Sequence, residues 1–189
     1  MAQKDWVLGA DRNAEALDRI LSAALDLVSR DGFEAFTIDV LAAKLHCSPA
    51  TIYRRAGGKA AIIERLISLF ADRIIRSIHR EIDRLEGTER IATAILVGLD
   101  YMRAEPLGQL IMGDTRPDQD SGAVTASPLV TKIAEEMIGH SDPLAAQWLI
   151  RATFSLWYWP VKDKQTEYEL VTRFAAPSVT HGIRGWGAS

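Results

Sequence analysis

The sequence predicts an all-α fold in two parts: three helices gathered within residues 1–58, then a set of helices through 59–189. Three observations carry this. Apolar residues recur with helical period in nearly every segment. Hydroxyl, Asx, glycine and proline residues stand where helices begin and end. No segment alternates with period two over a length that would make a strand. The chain has 189 residues, 48% of them hydrophobic, enough for a substantial core.

The elements follow in order. Leu17, Ile20, Leu21, Ala24 and Val28 form one stripe of a first helix over residues 14–30. Asn13 is its expected cap, Glu15 suits its first turn, and Gly32 is its C′ residue. Thr37 caps a short second helix carrying Ile38, Leu41, Ala42 and Leu45, and His46-Cys47-Ser48 breaks it. Ser48 followed by Pro49 starts a third helix over residues 49–55, ended by Gly57-Gly58. A long fourth helix runs from Lys59 to Leu85, with Ile63, Leu66, Ile67, Phe70, Ile74, Ile78 and Ile82 as its stripe. Its other face is mostly solvated charge.

Thr88 is the expected cap of a fifth helix through Ile91, Ile95, Leu99 and Met102, which Pro106 interrupts. Residues 113–127, GDTRPDQDSGAVTAS, read as a long loop. Ser127-Pro128 starts a helix that Gly139 stops. Ser141 or Asp142, with Pro143, starts an apolar helix through Trp159, and a last helix carries Tyr168, Leu170, Val171 and Phe174 up to Pro177. The tail HGIRGWGAS is expected to fray.

Net charge is −3, and the acidic surplus lies in the second half. Residues 44–59 contain Lys44, Arg54, Arg55 and Lys59 and no acid. Such a local basic patch matters more to a polyanion than total charge does. The single cysteine excludes an intrachain disulfide and fits a reducing compartment. The start MAQKDWVLGADRN lacks the apolar run of a signal peptide, and no stretch is long and apolar enough to span a membrane. A cytoplasmic protein with no membrane partner is expected.

Three helices close in sequence, the second and third joined by a tight turn, suggest a helix-turn-helix. Ile52 is the one strongly apolar residue inside the third helix. If Ile52 faces the core, Pro49, Ala50, Tyr53 and Arg54 face outward. The small residues at the helix start then let backbone approach a groove, and its free N–H groups attract phosphate.

These residues carry a family likeness. RILSAALDLVSRDGFEAFTI (19–38) and LAAKLHCSPATIYRRAGGK (41–59) resemble the opening of the tetracycline-repressor (TetR) family of bacterial transcriptional regulators. The resemblance covers about 45 residues; beyond them only helical architecture and length match. It implies an N-terminal helix-turn-helix DNA-binding domain over 1–58 and a C-terminal helical ligand-binding and dimerisation domain over 59–189. It implies a homodimer on a palindromic double-stranded DNA operator, most often repressing, and released by a small-molecule effector. By matching position it implies that Thr37, Ser48, Thr51, Tyr53 and Lys59 contact phosphates. Pro49, Ala50 and Arg54 would lie nearest the bases, and Arg55 would reach phosphate or a base edge.

The chain departs from the family pattern where His46 replaces the usual turn glycine and Cys47 the usual valine. Ala56 replaces the usual phenylalanine, so thinner packing between the third and fourth helices is expected, loosened further by Gly57-Gly58. Cys47 reads as a core thiol, with redox sensing the alternative.

In the second part, Trp148, Phe154, Trp157, Tyr158 and Trp159 have two readings: core or dimer contact, or the lining of an apolar effector pocket with Tyr101, Met102 and Met112. Gln147, Arg151 and Asp100 are the polar candidates there. Ala145, Ala152, Phe174 and Ala175 are the expected dimer contacts, in the region where the family pairs two helices from each subunit. His79, His140 and His181 have no metal-ligand spacing, so no metal and no cofactor is expected. No nucleophile–base set and no phosphate loop is present, so an enzyme is not expected. The rival to a regulator is a helical small-molecule carrier or partner-binding protein that has lost DNA binding.

Overall fold

The computed structural model describes residues 5–114 and 128–180, and the described residues are helical throughout, without strands. Most of the expected loop over 113–127, and the tail with His181, lie outside them; Gly113 and Asp114 end a helix. The elements are α1 (Asp5–Ala35), α2 (Ile38–Lys44), α3 (Pro49–Ala56), α4 (Lys59–Ile82), α5 (Gly87–Ala104) and α6 (Pro106–Asp114). Then come α7 (Pro128–Ile138), α8 (Pro143–Tyr158), α9 (Lys164–Leu170) and α10 (Pro177–Thr180). Two compact units divide the chain, Met1–Asp72 and Arg73–Ser189. The division falls inside α4, whose residues 59–72 group with the N-terminal helices.

In the first unit, α1 packs on α2 and α3, and α2 on α3. The core is Ile20, Leu21, Ala24, Leu27, Val28, Phe36, Ile38, Leu41, Ala42, Ile52, Ala56, Ile62 and Leu66. Two expectations need correction. The first helix starts at Asp5, so Asn13 is an exposed interior residue and not the cap. No proline stands between them, and asparagine at an exposed helical position costs only a fraction of a kcal/mol, about 0.7 at most. The buried stripe of α4 begins at Ile62, with Ile63 half-buried, and continues through Leu66, Ile74, Ile78 and Ile82. Gly32 breaks α1 at φ 81°, as its expected place after the helix requires.

The turn from α2 to α3 is built from its own hydrogen bonds. Cys47 N–H donates to the Ala42 carbonyl (3.0 Å) and His46 N–H to the Ala43 carbonyl (3.2 Å). That is the Schellman pattern, and it puts His46 in the left-handed region at φ 52°. Glycine is the residue such a position favours.

In the second unit, α7 and α8 pack together, and α5 touches α6, α7 and α8. Asp142 caps α8 by accepting from Leu144 and Ala145 N–H. Asp163 caps α9 by accepting from Thr166 N–H at 2.8 Å, which holds its carboxyl below the usual range. Thr88 does not cap α5; it lies in the first turn, and its hydroxyl meets that of Thr180 at 3.2 Å. α9 continues into a π-helical turn over Val171–Ala175, where Ala176 N–H donates to the Val171 carbonyl (2.9 Å). Pro177 follows; it has no N–H, and its ring crowds the carbonyl four residues back, so the wider turn relieves the clash.

Two arginines tie this unit together. Arg90 donates to the carbonyls of Ile82 (3.1 Å), Glu136 (3.2 Å) and Met137 (3.3 Å), satisfying the C-terminal ends of α4 and α7 at once. Arg103 makes a bidentate pair with Glu167 at 2.8 and 2.7 Å and donates to the Leu156 carbonyl at 3.0 Å. The Glu167 hydrogen bonds raise the affinity of Arg103 for its proton, against the opposing effect of burial. Glu167 is only 5% exposed, so it depends on this partner.

Two substitutions test these features. His46→Gly is expected to raise stability by about 0.5–1 kcal/mol, read from urea unfolding; an unchanged midpoint would show that the turn carries no strain. Arg103→Met is expected to cost about 3 kcal/mol by stranding Glu167, and Arg103→Met/Glu167→Leu to recover most of it.

Candidate nucleic-acid interface

The third helix is placed by two residues. Ile52 is 0% exposed and Ala56 is also fully buried, one turn apart on the face toward α1 and α2. With 100° per residue, Ala50 and Arg54 then lie opposite the buried pair, while Tyr53 falls on one flank and Thr51 and Arg55 on the other. Pro49, Ala50, Tyr53, Arg54 and Arg55 are exposed and Thr51 is half-buried. Tyr53 is 58% exposed.

Ser48 starts the helix: its hydroxyl oxygen accepts from Thr51 N–H at 3.3 Å and lies 3.0 Å from the Thr51 hydroxyl. Pro49 occupies the first helical position. Thr37 does the same for α2, accepting from Val40 N–H at 3.2 Å, and remains exposed. Both hydroxyls therefore hold helix starts at the surface.

The basic patch is smaller than the sequence suggests. Lys44 pairs with Asp26 across α1 and α2, and this bond, with the lysine's charge, lowers the affinity of Asp26 for its proton. Lys59 donates to the Phe33 carbonyl at 3.0 Å and is half-buried. Arg54 and Arg55 have no ion-pair partner among the described residues, so they carry the open positive charge of α3. Cys47, expected as a core thiol, is half-buried and not fully enclosed.

The junction to α4 also differs from expectation. Gly57 is left-handed at φ 83°, and its N–H donates to the Tyr53 carbonyl at 3.0 Å. Gly58 is buried at φ 91°. A Cβ built on Gly58 would stand 2.8 Å from Tyr53 Cε1. The glycine pair and Ala56 make a tight seat here, because the ring of Tyr53 occupies space that a side chain at 58 would need.

In the second unit, the expected pocket residues separate. Met102 and Met112 are buried, and Tyr101, Phe154, Trp157 and Tyr158 are half-buried. The Tyr158 hydroxyl donates to the Met112 carbonyl at 3.2 Å, so α8 and α6 meet there. Burial, with the Glu105 charge, pushes the Tyr101 hydroxyl above its ordinary range, against the arginines 73, 76 and 80. Trp148 does not belong with them: it is 52% exposed and its indole N–H donates to Ser178 Oγ at 2.6 Å. Its position falls on the outer stripe of α8, while Ala146, Leu149 and Ile150 take the inner one. The polar candidates also turn away. Asp100 pairs with Lys164 at 3.0 Å, Arg151 donates to the Gln147 carbonyl of its own helix, and Gln147 is exposed.

Of the expected dimer contacts, Phe174 is 61% exposed under the Arg173 guanidinium, and Ala145, Ala152 and Ala175 are half-buried. Leu144, 76% exposed, and Tyr168 are further exposed large side chains that the sequence did not single out. Positions 144, 148, 151, 155 and 159 are all exposed and recur at helical spacing. Among the described residues no group of three His, Cys, Asp or Glu is placed to hold a metal, and no helix is long and apolar enough to cross a membrane.

Comparison with known proteins bears on this geometry. Residues 20–66 match the family described as "Bacterial regulatory proteins, tetR family", a span that contains α2, α3 and the start of α4. Rv1255c, an HTH-type transcriptional regulator of Mycobacterium tuberculosis (strain H37Rv), is 30% identical over 95% of this chain and 93% of its own length. Among solved structures, a TetR/AcrR-family regulator from Thermobifida fusca has a TM-score of 0.56 at 16% identity, over 93% of this chain and 100% of that one. The TetR-family repressor AlkX from Dietzia sp. has a TM-score of 0.56 at 20% identity, over 85% of this chain and 93% of its own. Likeness at that identity speaks to the fold alone; the family rests on the relative aligned along nearly its whole length. The chain belongs to the TetR family of helix-turn-helix, DNA-binding transcriptional regulators, which are not enzymes.

Proposed function

We propose that this regulator binds a palindromic operator as a homodimer, represses the adjoining gene, and is released by a small-molecule effector. The observation that carries the DNA half is the rotation of α3: with Ile52 and Ala56 buried, Ala50 and Arg54 project straight outward. In the complex, Pro49, Ala50 and Arg54 enter the major groove, where arginine pairs best with guanine. Tyr53, Thr51 and Arg55 flank them and meet the phosphate strands. Thr37 uses an oxygen lone pair for capping, which leaves its hydroxyl hydrogen for phosphate, and Ser48 and Thr51, whose hydroxyls share one hydrogen bond, leave one hydroxyl hydrogen between them. Lys59 uses one of its three N–H donors on Phe33 and keeps the others for phosphate.

The exposed stripe supports the dimer. Leu144 and Trp148 on α8, Trp159 at its C-cap, and Tyr168 and Phe174 beyond it leave large apolar side chains in water unless a second copy covers them. A two-fold pairing of this surface matches the symmetry that a palindromic site demands. For the effector, the proposed apolar lining is Tyr101, Met102, Met112, Phe154, Trp157 and Tyr158, with the Tyr158 hydroxyl joining α8 to α6 at the Met112 carbonyl. Effector binding is a shift between two states that differ in effector affinity, with α4, which belongs to both compact units, as the moving element.

Three measurements test this. Affinity for duplex DNA should fall with salt at roughly one unit of log-log slope per phosphate contact. Tyr53→Ala should weaken all duplexes alike, and Arg54→Ala should relax preference at one base position, with about 1–3 kcal/mol lost there. A flat salt response, or footprints unchanged by both substitutions, would remove α3 from this role. By sedimentation at micromolar protein, the chain should be a dimer and Trp148→Glu a monomer. A Trp148→Glu dimer would move the seam elsewhere.

A further inference from the structure

We propose that Gly58 is a positioning residue for DNA binding, one that seats the Tyr53 ring and so fixes where its hydroxyl meets phosphate. The inference rests on the DNA reading above. It starts from space: an added Cβ at Gly58 would lie 2.8 Å from Tyr53 Cε1 and 3.1 Å from Cδ1, closer than side chains tolerate. The ring therefore lies against the backbone of the α3–α4 junction, while Tyr53 as a whole stays more than half exposed. Its hydroxyl bonds nothing among the described residues and is left for a partner.

Gly58 is itself held in place. Its carbonyl accepts from Ile62 N–H at 3.0 Å, the first bond of α4. Next to it, Lys59 fastens the start of α4 to the Phe33 carbonyl, and Gly57 N–H binds the Tyr53 carbonyl. Tyr53 is thus gripped at its backbone by Gly57 and at its ring by Gly58. Ordering the ring before DNA arrives lowers the entropy lost on binding.

The test uses the full chain and a mixed-sequence duplex at low salt, since phosphate contacts do not depend on sequence. Gly57→Ala is the control, because it places alanine at a similar positive φ but meets Ala61 Cβ and not the ring. Gly58→Ala is expected to weaken binding about tenfold, as Tyr53→Ala does. Tyr53→Ala/Gly58→Ala should bind within about twofold of Tyr53→Ala alone. Losses that multiply, or an equal loss in Gly57→Ala, would reduce Gly58 to backbone strain and overturn the proposal. A second readout needs no variant: in the wild-type chain, Tyr53 ring protons should show a nuclear Overhauser contact to the Gly58 α-protons. Its absence overturns the seating directly. A wild-type chain that binds no duplex would instead overturn the regulator reading, whatever the Overhauser contact shows.

Discussion

The rotation of α3 about its own axis is the constraint on which the functional surface depends. A helix of eight residues has little means of fixing its own orientation. Here Ile52 and Ala56 do so, because both are withdrawn from water against α1 and α2. A fully buried isoleucine contributes about 1.5–3 kcal/mol, and turning the helix to bury another face would forfeit that. The other faces offer arginines and a tyrosine, which have no matching reward inside. The outward direction of Ala50 and Arg54, and the flanking places of Tyr53, Thr51 and Arg55, follow from this one packing choice.

The ends of α3 are then fixed by backbone hydrogen bonding. On one side, the Schellman turn at His46 delivers the chain into Ser48 and Pro49. On the other, Gly57 and Gly58 close the helix and seat Tyr53. The polar side chains around α3 are largely committed: Lys44 to Asp26, Lys59 to Phe33, Ser48 and Thr37 to capping. Arg54 and Arg55 remain as the uncommitted cations of the helix. A recognition surface of this kind is built by tying down the neighbours, so that the few open donors have one defined position. In the second unit, Arg90 and Arg103 serve the same end by holding helix termini together through carbonyl and carboxylate acceptors.

Local chemistry made much of this legible in the sequence. Ser48-Pro49, Asp142-Pro143 and Gly139 announce helix boundaries, since capping and proline placement are decided by a few adjacent residues. Ile52 as the anchor of α3 was readable because no other strongly apolar residue competes there. The failures share a cause too. Asn13 and Thr88 have cap-forming side chains, yet the helix continues past one and starts before the other, so propensity was outvoted by neighbouring turns. Arg103 and Glu167 lie far apart in sequence, and no periodicity reveals a pair of that kind. The two readings of Trp148 stayed open in the sequence because an aromatic residue is apolar whichever way it faces; the burial of Ala146, Leu149 and Ile150 shows which side of α8 is inside. The glycine pair after Ala56 looked like slack, and only the position of the Tyr53 ring shows it as a contact.

The central claim is that α3 reads a specific duplex sequence, and selection from a random-sequence DNA library by the full chain tests it most directly. Enrichment of an inverted repeat is expected, with half-sites centred about one helical turn, or a small multiple of it, apart. Recovery of a pool no different from the starting library would contradict it.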